Sequence, residues 1–278
     1  MKVSKAAKIW LDYHRIHSKK NPIRCYSAVI EKFCEEFEDQ QLNELSVDNI
    51  LEFLNQLTNG SKPQTKRIRY AHLSAFFNFI RNNIMSDFIS PCDSKILRKL
   101  YRPKVKTHWD ILEKDTVDEI IFRTTKPRDR LMFELMARGA MRIGEVLKLT
   151  PNDIFERKLL LREPKSGREV EMIFIPQKVA DRLKEYVKAQ NIGQHDRIFP
   201  ICYGAARSVV KKAGNLVGIH LRSHDLRRHA ATFASRSGVP LEIVSKIILR
   251  HSNLSTTQIY LGKISDSGAL KWIETLYS

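Results

Sequence analysis

Near its C-terminal end the sequence reads Ser223-His224-Asp225-Leu226-Arg227-Arg228-His229, and after an apolar helical segment it continues Leu249-Arg250-His251-Ser252-Asn253-Leu254-Ser255-Thr256-Thr257-Gln258-Ile259-Tyr260. His224 and Arg227 are three residues apart, so in a helix they face the same way. An imidazole beside a guanidinium is suited to binding a phosphate. His251 and Tyr260 follow, and the side chains between them include three candidate helix caps: Ser252, Ser255 and Thr256. Cations that converge on a tyrosine indicate phosphoryl transfer to its phenol. The alternative is a basic helical hairpin with satisfied core histidines.

The size and charge of the chain indicate two domains and a polyanionic partner. A length of 278 residues suits two domains, and a hydrophobic content of 42% excludes disorder. The 48 Lys and Arg residues exceed the 31 Asp and Glu residues, which gives a net charge of +17. Such an excess is typical of nucleic-acid binding, because each neutralised phosphate releases counterions. Anionic lipid is the alternative, but the sequence has no polybasic amphipathic helix beside a lipidation motif and no apolar run that would cross a bilayer.

The N-terminus and the cysteines indicate an intracellular protein. Met1-Lys2-Val3-Ser4-Lys5 precedes a mixed amphipathic stretch, which is not the pattern of a signal peptide. The cysteines are scattered without zinc-ligand spacing, and we interpret them as reduced: Cys25, Cys34, Cys92 and Cys202. His220 and His229 flank His224, but no cysteine or carboxylate follows at ligand spacing, so no metal site is predicted. We expect a cytoplasmic, nucleoid-associated protein.

Residues 1–90 are predicted to form a small domain of four helices. Apolar residues recur at the helical period around Trp10, after Pro22, after Ser46 and after Pro63. The start of the fourth helix is dense in cations, which predicts contact with DNA grooves and phosphates: Lys62, Lys66, Arg67 and Arg69. A solvated basic face is the alternative. Arg24, early in the second helix, is a further candidate of the same kind.

Residues 91–108 lack a clear period and carry repeated cations, among them Arg102 and Lys104. This composition predicts an extended basic linker that follows a phosphate backbone. Beyond it, residues 109–278 are predicted to be helical at 115–122, 128–140, 178–190, 205–217, 224–237, 241–248, 255–261 and 265–277. Two strands at 159–163 and 170–175 are joined by a hairpin turn with Lys165 at its base. The predicted fold is therefore mainly α with a small antiparallel β-sheet, an α+β architecture.

The histidines, arginine and tyrosine quoted above belong to a longer pattern in the sequence. Arg142 lies in the run Gly139-Ala140-Met141-Arg142-Ile143-Gly144-Glu145, and it is followed in order by Lys165, His224, Arg227, His251 and Tyr260. This order, with the run Ser255-Thr256-Thr257-Gln258-Ile259-Tyr260 after the second histidine, resembles the tyrosine recombinase (phage integrase) family over essentially the whole chain. Met141 and Gly144 differ from the Leu and Ser common in related sequences, but neither change removes a functional side chain. The resemblance implies a core-binding domain over residues 1–90 and a catalytic domain over residues 109–278, which together clamp DNA.

The resemblance also implies how a DNA strand would be cut. Tyr260 would attack a phosphodiester and give a 3′-phosphotyrosine link and a free 5′-hydroxyl. Because a phenol titrates near 10, nearby positive charge is needed to form the anion at neutral pH. Arg142 and Arg227 would bind the non-bridging oxygens and stabilise the charge of the transition state.

Three further groups would move or hold protons. Lys165 would protonate the departing 5′-oxygen as general acid, His224 would assist proton transfer at the nucleophile, and His251 would hydrogen-bond the phosphate. These cations take the part that a metal ion has in other enzymes, so we expect no metal, ATP or other cofactor. Glu145, three residues after Arg142, is interpreted either as a residue that positions the site or as a plain surface residue.

The expected function is site-specific recombination of double-stranded DNA by a homotetramer, through a Holliday junction and with or without accessory factors. Free in solution the protein is expected to be a monomer or weak dimer. Since the chain begins almost directly at the core-binding helices, no separate arm-binding domain is expected, which favours a simple Xer-like or integrase system. A type IB topoisomerase and a DNA-binding regulator with dispensable catalysis are the alternatives. In the family the C-terminal segment, here 265–278, commonly docks on a neighbouring catalytic domain; folding back on its own domain is the alternative.

Overall fold

The computed structural model describes residues 1–17, 20–101, 111–162, 164, 170–251 and 253–261, without the side chains of 20–22 and 259–261. Two compact units divide the chain, Met1–Thr107 and His108–Ser278. Helices predominate, and the strands form one three-stranded antiparallel sheet. This confirms the predicted fold class. Across the described ranges, no helix combines the length and the apolar character that spanning a bilayer requires.

The N-terminal unit is an assembly of helices around an aromatic core. Its described helices are α1 (Val3–His17), α2 (Lys20–Phe37), α3 (Val47–Leu57), α4 (Pro63–Asn83) and α5 (Lys95–Tyr101), with 3-10 turns at Leu42–Glu44 and Pro91–Asp93. Ser46 caps α3 by accepting a hydrogen bond from the Asn49 backbone N–H at 3.1 Å, and Pro63 occupies the first turn of α4, where no backbone donor is needed. The buried rings of Phe33, Phe76 and Phe77 meet edge to face or tilted.

The first part of the predicted linker is folded, which corrects the prediction of an extended segment over 91–108. Residues 91–101 form a 3-10 turn and α5, and Leu97 and Tyr101 are buried in the N-terminal core. The Tyr101 hydroxyl donates to Asn55 Oδ1 at 2.7 Å, and its ring stacks on Tyr70 with centroids 5.7 Å apart. Leu97 and Tyr101 lie four residues apart, and this short apolar stripe was obscured by the cations around it. Arg102 and Lys104 lie outside the described residues.

The C-terminal unit combines helices with the small sheet. Its described helices are α6 (Lys114–Arg123), α7 (Pro127–Arg138), α8 (Ile143–Val146), α9 (Gln177–Ala189), α10 (Tyr203–Leu216), α11 (Ser223–Arg236), a π-helix (Ile243–Ile248) and α12 (Leu254–Leu261), with a 3-10 turn at Pro151–Asp153. The strands are β1 (Ile154–Phe155), β2 (Lys158–Arg162) and β3 (Val170–Phe174), in the order β1-β2-β3. Leu159 pairs with Ile173 and Leu161 with Glu171, and all four side chains are on the buried face.

Helix α7 is the centre of this unit. Its side chains are buried on several faces, including Met132, Phe133 and Leu135, and it packs against α6, α8, α9 and α11. Helix α7 ends at Arg138 and α8 begins at Ile143, and the turn between them lies beside α11, since Arg227 of α11 donates to the Ala140 carbonyl. The packing of α11 on α7 therefore brings Arg227 against the residues that precede Arg142.

Candidate active site

Arg142 and Glu145 form a local unit at the start of α8. Arg142 precedes the helix, and its backbone N–H donates to Glu145 Oε2 at 2.8 Å while its Nη1 donates to Oε1 at 2.6 Å. A glutamate at the third helical position reaches back in this way to satisfy a helix start. The Glu145 carboxylate is 10% exposed, so it is no plain surface residue and the positioning interpretation is the one that fits. The Arg142 side chain is 25% exposed, which leaves part of the guanidinium accessible to a ligand.

Arg227 lies on α11 and is fully buried within the C-terminal unit. Its two terminal nitrogens donate hydrogen bonds to the backbone carbonyls of Ala140 and Leu249. Nη1 also lies 3.9 Å from Glu145 Oε2. A fully buried guanidinium is stable only when its donors are satisfied, and here backbone carbonyls do this on two sides. Arg227 therefore ties α11 to the turn before α8 and to the end of the π-helix.

His224 stands one turn before Arg227 on α11 and reaches the surface. Two causes lower the pKa of His224 from its usual value: first the partial loss of hydration, and second the positive charges of Arg227 and Arg142. The imidazole is therefore neutral around pH 7 in the DNA-free protein, and it can accept a proton. A phosphate bound between these cations would oppose the shift, because its negative charge favours the imidazolium.

His251 is half-buried and is held by the Thr257 hydroxyl and the Ser245 carbonyl. Its Nδ1 lies 2.9 Å from Thr257 Oγ1, which lies 2.8 Å from Ser245 Oγ, and its backbone N–H donates to the Ser245 carbonyl at 2.9 Å. Ser245 and Thr257 are fully buried. Burial, and then the charges of three neighbouring guanidiniums, lower the pKa of His251 to about 4. The ring is neutral at pH 7, and its contact with the Thr257 hydroxyl fixes its orientation.

Glu145 balances the arginines of the cluster. Besides Arg142 it accepts a hydrogen bond from Arg250 Nη2 at 2.8 Å. Burial alone would raise the pKa of the Glu145 carboxyl, but the charge of Arg250 and the hydrogen bonds from Arg142 outweigh it and lower that pKa. Arg250 in turn lies with Nε 3.3 Å from Oε2 of the buried Glu171 on β3. One carboxylate thus organises cations from three separate parts of the chain.

The structure brings four of the six predicted catalytic residues together: Arg142, His224, Arg227 and His251, each within electrostatic reach of others in the set. Tyr260 lies on α12, three residues after Thr257, and its side chain is outside the described part of the structure. Lys165 lies outside the described residues, in the connection between β2 and β3. Among the described residues, no group of His, Cys, Asp and Glu side chains has the arrangement of a metal site.

The predicted DNA-binding residues of the N-terminal unit lie on two helices. Arg24, Lys62 and Arg67 are exposed, and Lys66 and Arg69 are half-exposed. Lys62 precedes α4, so the four residues on and before that helix lie within its first two turns. No ion pair links any of the five to an acidic side chain of the described residues, and their positive charge is available to an anionic partner.

Four residues of the cluster escaped prediction from the sequence: Glu171, Ser245, Arg250 and Thr257. Glu171 carried a signal, since it alternates with exposed residues on β3 in step with the buried Ile173. A charged residue at an inward position of a strand indicates a buried partner. Ser245 and Thr257 looked like ordinary polar helix residues. Nothing in the sequence distinguishes the role of Arg250 from that of the other basic residues.

Comparisons with known proteins agree with this geometry. The phage integrase family matches residues 110–265, more than half of the chain. A tyrosine recombinase of Thermosipho africanus (strain TCF52B) is 29% identical over 274 residues, which cover 91% of this chain and 92% of the relative. The tyrosine recombinase XerA of Thermococcus onnurineus (strain NA1) is 29% identical over 252 residues, 86% of this chain and 84% of the relative.

Two solved structures share the fold. The Tn1549 transposon integrase in complex with transposon right end DNA superposes with a TM-score of 0.76 at 14% identity, over 100% of both chains. The XerA recombinase crystal structure gives a TM-score of 0.54 at 18% identity, over 98% of both chains. The chain belongs to the phage integrase family and is a tyrosine site-specific recombinase. The topoisomerase and regulator alternatives find no support in these comparisons.

Proposed function

We propose that this recombinase cuts and rejoins DNA through a 3′-phosphotyrosine at Tyr260. The observation that carries the proposal is the convergence of Arg142, Arg227, His224 and His251 in a cluster from which α12 leads to the tyrosine. The two guanidiniums bind the non-bridging oxygens of the scissile phosphate and stabilise the extra negative charge of the pentavalent transition state. The same charges favour the phenolate over the phenol.

The two imidazoles take different parts in the reaction. His224, neutral and at the surface, accepts the proton of the attacking Tyr260 hydroxyl. His251 is held at Nδ1 by Thr257, so its Nε2 is the nitrogen that contacts a phosphate oxygen, and it becomes a donor when the phosphate raises the pKa of the ring. Lys165 donates a proton to the 5′-oxygen that departs. The link to Tyr260 preserves the phosphodiester bond energy, and the incoming 5′-hydroxyl reverses each step.

A covalent-trapping experiment tests this assignment. The recognition sequence is first selected from a randomised duplex pool, and a nick next to the cleavage point then allows the cleaved end to diffuse away. The protein should become joined to this duplex in EDTA and without nucleotide. Tyr260→Phe should abolish the adduct and leave binding nearly intact, while Tyr277→Phe, the matched control, should react normally. An adduct that survives Tyr260→Phe would refute the assignment.

The proposed DNA-bound form is a homotetramer on two double-stranded sites, in which both units of each protomer contact the duplex and strands exchange through a Holliday junction. The basic residues on α2 and α4 bind phosphates and grooves in this arrangement, and the protein acts at the nucleoid. The Tn1549 integrase and the XerH recombinase were both solved bound to DNA, which supports a DNA partner for this chain.

An apolar groove supports a role for the C-terminal segment in assembly. It has a volume of about 510 Å³, and Phe174, Phe233 and Ile247 in its walls are each about half exposed. Segment 265–278 carries Leu270, Ile273 and Leu276 at helical spacing, which suits it to such a groove on a neighbouring protomer. One contact of this kind per protomer, repeated head to tail, closes a ring.

Deleting 265–278 tests this contact. We expect the truncated protein to bind a half-site as before and to lose cooperative pairing of half-sites, measured by gel-shift titration on half and full sites. The variant Phe233→Ser, which alters the groove and keeps the segment, should give the same loss. Undiminished cooperativity in both proteins would contradict docking between protomers.

A further inference from the structure

Arg250 has an unusual backbone. Its φ of +54° lies in the left-handed region, which a residue with a Cβ seldom adopts. The residue is also buried, at 6% exposure, and it stands between two parts of the site: the carbonyl of Leu249, which binds Arg227, and His251. Strained residues of this kind persist where the surrounding contacts fix them, and they concentrate at functional sites.

The contacts that fix Arg250 come from two carboxylates and a carbonyl. Nη2 donates to Glu145 Oε2 at 2.8 Å, Nη1 donates to the Ile248 carbonyl at 2.9 Å, and Nε lies 3.3 Å from Glu171 Oε2. Glu171 is 6% exposed, and neither of its oxygens accepts a hydrogen bond from the described residues. The charge of Arg250 is therefore what stabilises Glu171 in the interior, within the part of the chain that the structure describes.

We propose that Arg250 and Glu171 are positioning residues of the cleavage site, and this proposal rests on the proposed function. Arg250 holds Glu145, whose other contacts hold Arg142. Glu171 anchors Arg250 to β3, the strand that leads out of the connection containing Lys165. The pair thus joins β3 to the residues that bind phosphate. Arg250 acts through these residues and not on the DNA, because each of its three guanidinium nitrogens faces a protein oxygen, that of Glu145, Ile248 or Glu171.

The Arg250–Glu171 pair also affects the net charge of the cluster. In the described part of the cluster, the guanidiniums of Arg142, Arg227 and Arg250 face the carboxylates of Glu145 and Glu171. The result is one net positive charge, which one phosphodiester neutralises. Without Arg250 the two buried carboxylates would cancel the two arginines, and the attraction for phosphate would fall.

The test compares Arg250→Gly with the double variant Arg250→Gly/Glu171→Gln. Glycine is chosen because it adopts the left-handed conformation without strain, so the fold is kept while the charge is lost. Arg182→Gln is the matched control, since Arg182 pairs at 2.8 Å with Glu134, a buried carboxylate of the same unit whose ion pairs are with Arg138 and Arg182. The probe is the selected duplex nicked at its cleavage point, and the rate of covalent adduct formation is measured against pH.

Arg250→Gly should slow adduct formation at neutral pH by at least about tenfold, because removing one partner of a buried ion pair leaves the charge of the other partner uncompensated. As the pH is lowered, the rate of adduct formation by this variant should also begin to fall at a higher pH than the rate of the wild type. Glu145 is faced by Arg142, Arg227 and Arg250, and the charge of Arg250 also lowers the pKa of His251, so losing this cation makes Glu145 and His251 easier to protonate.

The double variant should regain part of the lost rate, since it removes the unpaired carboxylate as well. Arg182→Gln should change neither the neutral rate nor the pH dependence. If Arg250→Gly behaves like this control, or if the double variant is no faster than Arg250→Gly, the positioning role is wrong. A wild-type protein that forms no adduct at Tyr260 would instead refute the proposed function.

Discussion

Removing the charge of Glu145 should destabilise the C-terminal unit more than any other single neutralisation of an acidic residue in the cluster. Glu145→Gln keeps the shape of the side chain but replaces one carboxylate oxygen with an amide NH2 group, which removes the negative charge. The wild-type carboxylate accepts hydrogen bonds from the backbone and side chain of Arg142, at 2.8 and 2.6 Å, and from Arg250 at 2.8 Å. Arg227 stands 3.9 Å away. In the variant three guanidiniums repel one another, with Glu171 as their remaining counter-charge among the described residues.

The size of the effect follows from burial. The Glu145 carboxylate is 10% exposed and the Arg250 guanidinium 3% exposed, so water screens their interaction little. Breaking a buried pair by removing one partner costs about 3–5 kcal/mol. Since a domain of this kind is stable by about 5–15 kcal/mol, the variant should remain folded at room temperature but with much of its stability lost.

Native-state hydrogen exchange measures this loss within the full chain. Amides of α11 should exchange through openings that are about 3 kcal/mol easier in Glu145→Gln, while amides of α4 in the N-terminal unit serve as internal reference and should not change. A decrease below about 1 kcal/mol in α11 would show that the carboxylate is worth no more than an exposed ion pair, and the reasoning from burial would be wrong.

The pH dependence gives a second check with a definite sign. The pKa of Glu145 is lowered in the folded protein, so its stabilising contribution is complete above the unfolded-state pKa of about 4.3 and is lost as pH falls through the lowered folded value. The melting temperatures of wild type and Glu145→Gln should differ fully at neutral pH and converge in acid. A difference that persists unchanged in strong acid would contradict the linkage.

Three further outcomes are expected. Thr257→Val, which removes the hydroxyl between His251 and Ser245, should slow adduct formation about tenfold, whereas Thr257→Ser should not; equal loss in both would exclude a role for the hydroxyl. Lys165→Ala should slow cleavage severely, and a 5′-phosphorothiolate substrate, whose leaving group needs no proton, should restore much of the rate; no restoration would exclude Lys165 as general acid. Replacing Lys66 and Arg67 by Gln should reduce the slope of log K against log salt by about 0.9 per lost phosphate contact, and an unchanged slope would show a merely solvated face.

Most of the elements of the catalytic unit could be predicted because they rest on local patterns. The strands predicted at 159–163 and 170–175 form as Lys158–Arg162 and Val170–Phe174, and the helix predicted at 224–237 forms as Ser223–Arg236. Alternation and helical periodicity are properties of neighbouring residues, so they survive without knowledge of the fold. The spacing of Arg227 from His224 is of the same kind, which is why the core of the site was visible in the sequence.

What escaped prediction depends on residues far apart in the chain. The helix predicted over 241–248 contains a π-helix at Ile243–Ile248, and the Ser245 carbonyl within it accepts a hydrogen bond from the backbone N–H of His251. Arg250 meets Glu145 across 105 positions, a pairing that no local pattern encodes. Strand β1 is two residues long and follows no repeat. In each case tertiary contacts determine the local conformation.

The way Arg227 is satisfied explains how the site keeps its affinity for an anion. A buried arginine paired with its own carboxylate would be neutralised, and an incoming phosphate would have to compete with that carboxylate. Here the backbone carbonyls of Ala140 and Leu249 accept its hydrogen bonds, while the Glu145 carboxylate, 3.9 Å away, is shared with Arg142 and Arg250. Carbonyl dipoles satisfy donors without cancelling charge. The guanidinium is thus held rigidly in place before DNA arrives, and its field is directed at a charge that the substrate alone supplies.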